Sequence, residues 1–520
     1  MSEYSRTIGR LLTMPFFTGT QVMEHLQDLP EGGHVMEIGL RRILETRNII
    51  ILAVVLVAVM SVRALIDGFW TDECYTIHAV NLSYGEVLNY LIEADAHPPV
   101  YYYFTKALCD VFGYTPFVFH MSAFIPYVLI VIADLTLVRK TFGNEVCLTV
   151  LVCASLLTSS FANMMEVRMY ELALFFMVLF SVFAYRVLNS AENRAFTPDA
   201  IILGLISILA SCTHIFCAIG IGMFLVCMLV TSLHWKKGIL KQVLVAFLIF
   251  SVACLPVAIY AASRFDRFPE DFWIVGFPPV WEVFGYLFGK KEFVFISAIF
   301  AVLLGIFLVR EFTGKRNGLT DMLEEGEEHP SSDGIFALLC MLSILFTILL
   351  SYVVTVAVRP VFSTRYLYPL SIFVWLTLGI CIMKYRDGLK ILAAVLLTII
   401  IVSVPMNIYD TMKETDMEKE TAETLDATDA ISPDDYVIDE ATNPVIVEYY
   451  YGIPLDNIAD VKYGQFTTDY IREGCQNWLF LYSHIDQGTI DALTSAGYGY
   501  ETVIEDGHLN KYSVNVYRIV

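Results

Sequence analysis

Long runs of apolar residues, each about twenty residues in length and almost free of charge, recur through most of the chain. A helix of about twenty apolar residues crosses the hydrocarbon core of a bilayer, which is about 30 Å thick. Because 57% of the 520 residues are hydrophobic and 14% are aromatic, the composition agrees with many such crossings. The sequence therefore predicts an α-helical polytopic membrane protein with about eleven spans, at roughly residues 49–66, 116–138, 145–162, 170–188, 199–213, 216–233, 243–262, 292–309, 335–357, 366–383 and 389–408.

Basic residues at the ends of these runs predict the orientation, since Lys and Arg concentrate on the cytoplasmic side of membrane proteins. The N-terminal segment 1–48 lacks the apolar core and cleavage site of a signal peptide, so we predict that it is cytoplasmic and that the protein resides in the cell membrane. If the first span leads outward, every cytoplasmic junction is basic: Arg139 and Lys140, Arg186 and Arg194, Lys236, Lys237 and Lys241, Arg310, Lys315 and Arg316, and Lys384, Arg386 and Lys390.

Two aromatic segments are too short or too polar to count as spans. His97–Gly113 contains a Lys and an Asp, and counting it as a span would place the later basic clusters outside, so we predict a helix that lies in the membrane interface. The first outer loop then extends from residue 67 to about residue 115. Pro278–Gly289 is predicted to be a second interfacial helix in another large outer segment.

The apolar runs stop after residue 408, and residues 410–520 have the composition of a small soluble domain. Patterning predicts an α/β domain with strands at Tyr436–Glu440, Trp478–Ser483 and Ser513–Val520, a helix at Thr489–Gly497 and a hairpin turn at Gly507–Asn510. With an odd number of spans this domain lies outside the cytoplasm, and residues 49–409 form the transmembrane catalytic unit. The domain lacks a phosphate loop, a nucleophile elbow and metal-ligand spacing, so we expect it to act in scaffolding or acceptor docking.

The formal net charge of −21 does not indicate a basic partner. The acidic residues concentrate in Glu324–Glu328 and after Asp410, which is typical of solvated segments. Most of the eleven Cys lie in apolar runs, where they act as small hydrophobic side chains. Neither a disulfide framework nor a metal motif is evident, and we predict neither a metal nor a nucleic-acid partner.

The segment directly after the first apolar run, WTDECY, carries the first candidate for chemistry. A carboxylate at a low-dielectric boundary acts as a general base when a cation or hydrogen bonds hold its anion. Asp72 is our candidate for that role, with Glu73 as its companion acid. The alternative is that both residues cap an interfacial helix, since acids suit a helix N-terminus.

Arginines in later outer loops are candidates for binding a phosphate, because a guanidinium group pairs with it bidentately. Arg359 and Arg365, next to Tyr366, stand between the ninth and tenth spans, and Arg168 stands in a very short earlier connection. Snorkelling to the interface, or ion pairs with neighbouring Glu residues, would explain the same arginines.

Further polar residues fall on the same predicted face. Glu166 and Tyr170 flank Arg168, and His97 precedes two prolines that fix its backbone in an extended conformation. We interpret these three as substrate-binding residues. A structural turn at His97 is the alternative, and His214 is interpreted as a turn residue with at most a supporting role.

The order of four motifs resembles the GT-C superfamily of membrane glycosyltransferases, including protein mannosyltransferases, aminoarabinose transferases and RgtA-like enzymes. The motifs are W-x-D-E at Trp70–Glu73, H-P-P-x-Y-Y from His97, R-x-Y at Arg168–Tyr170 and R-Y-L-x-P from Arg365, and the similarity covers about residues 49–410. In the second loop Glu171 stands closer to the arginine than the acid of aminoarabinose transferases does.

The resemblance implies an inverting transfer of a sugar from a polyprenyl-phosphate donor to a glycan, lipid or protein acceptor on the outer face. It implies that Asp72 is the base, with Glu73 as its companion, and that Arg168 and Arg365 approach the donor phosphate. No cofactor is required by this chemistry. A polytopic transporter and a non-catalytic envelope scaffold are the alternatives, although transporters place polar residues near the bilayer midplane rather than in outer loops.

Overall fold

The computed structural model describes residues 42–65, 68–93, 97–264, 276–290, 293–313 and 330–520. Most of the predicted cytoplasmic segment 1–48 and the acidic run Glu324–Glu328 lie outside these residues. The helices are α1 Thr46–Met60, α2 Thr71–Asn81, α3 Tyr84–Glu93, α4 Val100–Phe112, α5 Pro116–Phe142, α6 Asn144–Leu156, α7 Thr158–Asn163, α8 Tyr170–Leu188, α9 Pro198–Ser211, α10 Ile215–His234, α11 Leu240–Arg264, α12 Val280–Tyr286, α13 Val294–Thr313, α14 Ser332–Ala357, α15 Ser371–Met383, α16 Gly388–Ala427, α17 Pro444–Tyr451 and α18 Gln487–Ser495.

The predicted helical membrane architecture is confirmed. Each of the eleven apolar runs overlaps a helix, and eight helices of the described residues are long and apolar enough to cross a membrane. The run 145–162 is not one continuous helix: α6 ends and α7 begins at Leu157, whose backbone is extended at ψ 138°. The run 366–383 begins as a 3-10 segment, Thr364–Leu370, which contains Pro369 and leads into α15.

Burial distinguishes the centre of the helical bundle from its edge. In the span Thr364–Met383, 89% of the residues in its apolar 18-residue window are buried, and in α8 the share is 67%. In the first span, Thr46–Arg63, only 22% are buried. Apolar side chains on the exposed faces of peripheral helices suit contact with lipid. The two central elements begin at or near Tyr170 and Arg365, so these two residues lie at the ends of buried elements, on the face that we predict to be extracytoplasmic.

The first outer segment folds into three short helices, α2 to α4. Helix α4 matches the predicted helix at His97–Gly113, and α12 matches the one at Pro278–Gly289. Their position in a membrane interface stays a prediction.

Helix α16 is 40 residues long and extends well beyond the last apolar run. The predicted domain boundary at residues 409 and 410 thus falls inside a continuous helix. The polar half is rich in Glu, Lys, Met and Ala, which favour helix formation. As a result, the last span and the C-terminal domain are joined by a rigid element rather than by a loop.

The C-terminal domain is an α/β unit, as predicted. In the described residues its sheet has the order β2-β1-β3-β5-β4, with strands β1 Tyr436–Asp439, β2 Ile458–Asp460, β3 Asn477–Leu481, β4 Tyr500–Leu509 and β5 Tyr512–Ile519. β1 pairs in parallel with β2 and β3, while β5 pairs antiparallel with β3 and β4. The turn prediction at Gly507–Asn510 is wrong: Gly507 to Leu509 belong to β4, and the turn is formed by Asn510 and Lys511. Asn510 has φ 53°, a left-handed conformation that Asn tolerates.

Candidate active site

Helix α2 begins at the WTDE motif, and the Glu73 side chain fixes its first turn by accepting a backbone N–H. Glu73 accepts the backbone N–H of Trp70 at 3.1 Å and, through its other oxygen, the N–H of Val167 at 2.8 Å. The side chain is 5% exposed, and burial raises the pKa of Glu73 from 4.5 to about 7. Glu73 therefore joins the start of α2 to the connection before α8, which matches the capping alternative for this residue.

Asp72 points away from that structural network and forms an ion pair. Its Oδ2 lies 2.6 Å from Nη2 of Arg365, across 293 residues of sequence, and both side chains are about one quarter exposed. Oδ1 accepts no hydrogen bond from the described residues. Cζ of Arg365 also lies 5.2 Å from the centre of the Trp70 ring, a cation–π distance. The ion pair with Arg365 thus engages one carboxylate oxygen of Asp72 and leaves the other without a hydrogen bond from the described residues.

Arg168 holds the same helix from the other side. It donates to the backbone oxygen of Asp72 at 2.8 Å, to Thr76 Oγ1 at 3.1 Å and to His97 Nδ1 at 3.3 Å. Since a guanidinium group only donates, His97 Nδ1 is the acceptor in this contact. Arg168 therefore fixes the backbone beneath the candidate base.

Glu166 and Tyr170 lie beside these groups and keep unsatisfied polar atoms. Glu166 Oε1 and the Tyr170 hydroxyl are buried without a hydrogen-bond partner in the described residues. Burial raises the pKa of Glu166 to about 7, although the positive charge of Arg365 opposes the shift. Buried polar atoms without partners are unusual and are typical of sites that bind water or a ligand.

Aromatic rings complete this side of the site. Tyr366 lies 6.4 Å from His97 and 5.8 Å from His214, measured between ring centres. His214 caps α10 by accepting the Phe216 N–H at 3.2 Å, so its role as a turn residue is confirmed. Its ring also contacts Tyr170 at 5.6 Å.

The structure does not bring all the candidate residues to one place. Arg359 follows the end of α14 and does not line the cavity beside Asp72. Glu171 lies inside the bundle, where Tyr368 donates to its Oε1 at 2.5 Å, and it is remote from that cavity.

A cavity of about 290 Å³ opens between the helical bundle and the C-terminal domain. Arg365 lines it, whereas Asp72, its ion-pair partner, does not. The candidates Glu73, Glu166 and Arg365 line it, as does Trp70. Side chains that the sequence did not single out form the other walls, namely Arg63, His120, Met165, Glu414, Met417, Glu418, Thr421, Asn510 and Lys511.

Arg63 and Glu414 form a second ion pair in this cavity, at 2.6 Å. Arg63 is 8% exposed, lies 4.2 Å from the centre of the Phe161 ring and also donates to the Phe161 carbonyl. One signal in the sequence marks it: a basic residue near the outer end of a first span departs from the positive-inside pattern.

The C-terminal domain packs directly on α2. His78 Nδ1 lies 2.6 Å from a Glu448 carboxylate oxygen of α17, Asn443 donates to the Tyr75 hydroxyl at 3.2 Å, and Thr71 shares a hydrogen bond with Tyr512. The helix that carries Asp72 is therefore held between the bundle and this domain.

Comparisons with known proteins agree with this architecture. No family model matches the sequence, and no curated protein matches it. Among solved structures, the chain is similar to ArnT from Cupriavidus metallidurans in the apo state, with a TM-score of 0.57, 11% identity, and coverage of 90% of this chain and 97% of that chain. The same ArnT bound to undecaprenyl phosphate gives a TM-score of 0.57, 12% identity and the same coverage. The chain thus shares the overall fold of ArnT, and the predicted small C-terminal sheet domain is confirmed.

Proposed function

We propose that the protein is an inverting glycosyltransferase that moves a sugar from a polyprenyl-phosphate donor to an acceptor on the extracytoplasmic face of the membrane. The observation that carries this proposal is the Asp72–Arg365 ion pair, whose arginine lines a cavity between the helical bundle and the C-terminal domain. The similar ArnT structure bound to undecaprenyl phosphate supports a lipid-phosphate donor.

In the proposed reaction Asp72 is the general base. Its Oδ1 takes the proton of an acceptor hydroxyl while the hydroxyl oxygen attacks the anomeric carbon of the donor sugar. The bond between that carbon and the phosphate oxygen breaks, and the lipid phosphate leaves with the bonding electrons. Inversion follows because the acceptor and the leaving phosphate occupy opposite faces of the sugar.

Arg365 links the two halves of this step electrostatically. Before the reaction its guanidinium pairs with the Asp72 carboxylate at 2.6 Å. When Asp72 takes the proton its negative charge disappears at the moment that charge develops on the departing phosphate, so Arg365 becomes available to that phosphate. Arg168 positions α2 and His97, and Tyr366, Glu166 and Tyr170 surround the sugar. Arg359 stays a candidate for a more distant contact with the lipid phosphate.

The test is Asp72→Asn, assayed as sugar transfer in membranes supplied with a labelled polyprenyl-phosphate sugar. Because general-base catalysis contributes about 10²–10⁴-fold, we expect transfer to fall by at least about a hundredfold. Glu93→Gln, which neutralises an exposed acid at the end of α3, is the matched control and should retain activity. Full activity of the Asp72 variant would refute the assignment.

A further inference from the structure

Arg63 is held in the wall of the cavity by contacts with Phe161. Its Cζ lies 4.2 Å from the centre of the Phe161 ring, and its Nη1 donates to the Phe161 carbonyl. Arg63 also stands at the end of the first span, Thr46–Arg63. The position of this positive charge in the cavity is therefore fixed by contacts that involve no acid.

The acid that pairs with Arg63 is held less firmly. Glu414 of α16 accepts Nη2 of Arg63 at 2.6 Å, and this is its single hydrogen bond within the described residues. The Glu414 side chain is 36% exposed, against 9% for the Arg63 side chain. Because a buried charge without a partner is strongly destabilising, Glu414 supplies the negative charge that Arg63 requires in the empty cavity.

The ion pair leaves one donor of Arg63 unused. Nε is buried and has no hydrogen-bond partner in the described part of the chain. Nε and Nη2 lie along the same edge of a guanidinium group, and such an edge binds two oxygens of one phosphate side by side. Glu414 uses Nη2 alone, so a phosphate that spans both donors makes one hydrogen bond more than this carboxylate does.

Acids and bases are nearly balanced along the rest of the cavity wall. Three basic and four acidic side chains line it, namely Arg63, Arg365, Lys511, Glu73, Glu166, Glu414 and Glu418. Burial raises the pKa of Glu73 and of Glu166 to about 7, so each carries about half a negative charge at pH 7. The seven side chains together are then close to neutral. An anionic ligand therefore gains little from the net charge of the cavity and has to displace a carboxylate from an arginine.

We propose that the phosphate of the lipid donor binds Arg63 by displacing Glu414, and that Glu414 is an internal competitor that limits the affinity of the site. This inference rests on the proposed function and concerns the regulation of the same site. Because Arg63 stands at the end of a span, a phosphate attached to a lipid reaches it along the bilayer. After transfer the Glu414 carboxylate returns to Arg63 as the lipid phosphate leaves, so the exchange also assists release of the product.

A competing account makes the Arg63–Glu414 ion pair a structural contact that only joins the first span to α16. Under that account, neutralising Glu414 lowers the stability of the protein and does not strengthen lipid binding. Under the exchange account, removal of the competitor strengthens binding of the phosphate. The gain then disappears when Arg63 is replaced as well.

The experiment measures binding to the full-length protein in detergent by calorimetry. The probes are undecaprenyl phosphate, undecaprenol, which has the same tail without the phosphate, and inorganic phosphate, which has no tail. The variants are Glu414→Gln, Arg63→Met and the double variant. The matched control is Glu423→Gln, which neutralises an exposed acid of the same helix that does not line the cavity.

We expect Glu414→Gln to bind undecaprenyl phosphate about fivefold more tightly than the wild type, which is equivalent to about 1 kcal/mol, the upper value for a partly exposed ion pair. Glu423→Gln should bind it as the wild type does. Arg63→Met should weaken it at least about tenfold, and Glu414→Gln should bring no gain in that background. Undecaprenol should bind equally to all these proteins, and inorganic phosphate should bind much more weakly than undecaprenyl phosphate.

The proposal is overturned if Glu414→Gln brings no gain, if Glu423→Gln brings the same gain, or if the gain persists in the double variant. It is also overturned if undecaprenol shows the same gain, or if inorganic phosphate binds as tightly as the lipid phosphate. Should Arg63→Met fail to fold, the comparison of Glu414→Gln with Glu423→Gln and with undecaprenol decides alone. Absence of sugar transfer by the wild-type protein would instead count against the proposed function, since binding is measured without turnover.

Discussion

Replacing Glu73 with Gln tests how burial of this carboxylate at the start of α2 changes the free energy of unfolding. Burial raises the pKa of Glu73 from 4.5 to about 7. Each unit of such a difference corresponds to about 1.36 kcal/mol. Ionising Glu73 in the folded protein therefore costs about 3 kcal/mol more than ionising it in the unfolded chain.

The sign of the pH dependence follows from proton binding. Between pH 4.5 and about 7 the folded protein holds the Glu73 proton and the unfolded chain has lost it. The free energy of unfolding therefore falls as pH rises through this window, with the contribution fully present below pH 4.5 and lost above about pH 7. Gln resembles the protonated acid at every pH, so the Glu73→Gln variant lacks this component.

The assay is denaturant unfolding of the detergent-solubilised protein from pH 4.5 to about pH 8. All other groups titrate in both proteins, so the difference between wild type and Glu73→Gln isolates this residue. We expect the free energy of unfolding of the wild type to fall by about 3 kcal/mol relative to that of the variant across this pH range. A pH-independent difference of about 1 kcal/mol is added, because Gln has one hydrogen-bond acceptor fewer than Glu. A difference that stays constant with pH would refute the reasoning.

Two further predictions concern buried or shared contacts. Tyr368→Phe removes the donor at 2.5 Å from Glu171 and should lower the free energy of unfolding by about 1–3 kcal/mol, whereas Tyr409→Phe at an exposed site should leave it unchanged. A double-mutant cycle with His78→Ala and Glu448→Ala should give a coupling energy of about 0.5–1 kcal/mol for the 2.6 Å contact between α2 and α17, and additive effects would contradict it.

The local patterns of the sequence were sufficient to predict the membrane helices and the central strands of the C-terminal sheet. A charge-free run of about twenty residues has few alternatives to a helix, and buried strands such as Trp478–Leu481 are continuously apolar. Strand β4 was missed because its sequence, YETVIEDGHL, is largely polar and only two of its ten residues are buried. The hairpin turn was consequently placed too early, and Lys511 was not recognised as a turn residue.

Contacts between distant parts of the chain were harder to predict from the sequence. The structure brings Asp72, Arg168, Arg365 and His97 together, and four motifs in a fixed order had pointed to that cluster. Arg63 and the residues of α16 and of the β4–β5 turn belong to no such motif. Their place in the cavity depends on how the C-terminal domain sits on the bundle, which no periodicity in the sequence encodes.

The adjacent carboxylates of Asp72 and Glu73 have different surroundings because α2 starts between the helical bundle and the C-terminal domain. Glu73 is buried, and its two oxygens accept the backbone N–H groups of Trp70 and Val167. Asp72 is partly exposed and pairs through one oxygen with Arg365, and its other oxygen accepts no hydrogen bond from the described residues. Environments that separate two neighbouring acids in this way assign their roles. We therefore propose Asp72 as the acid of the pair that transfers the proton, and we propose that Glu73, first interpreted as its companion in catalysis, fixes the backbone on which Asp72 stands.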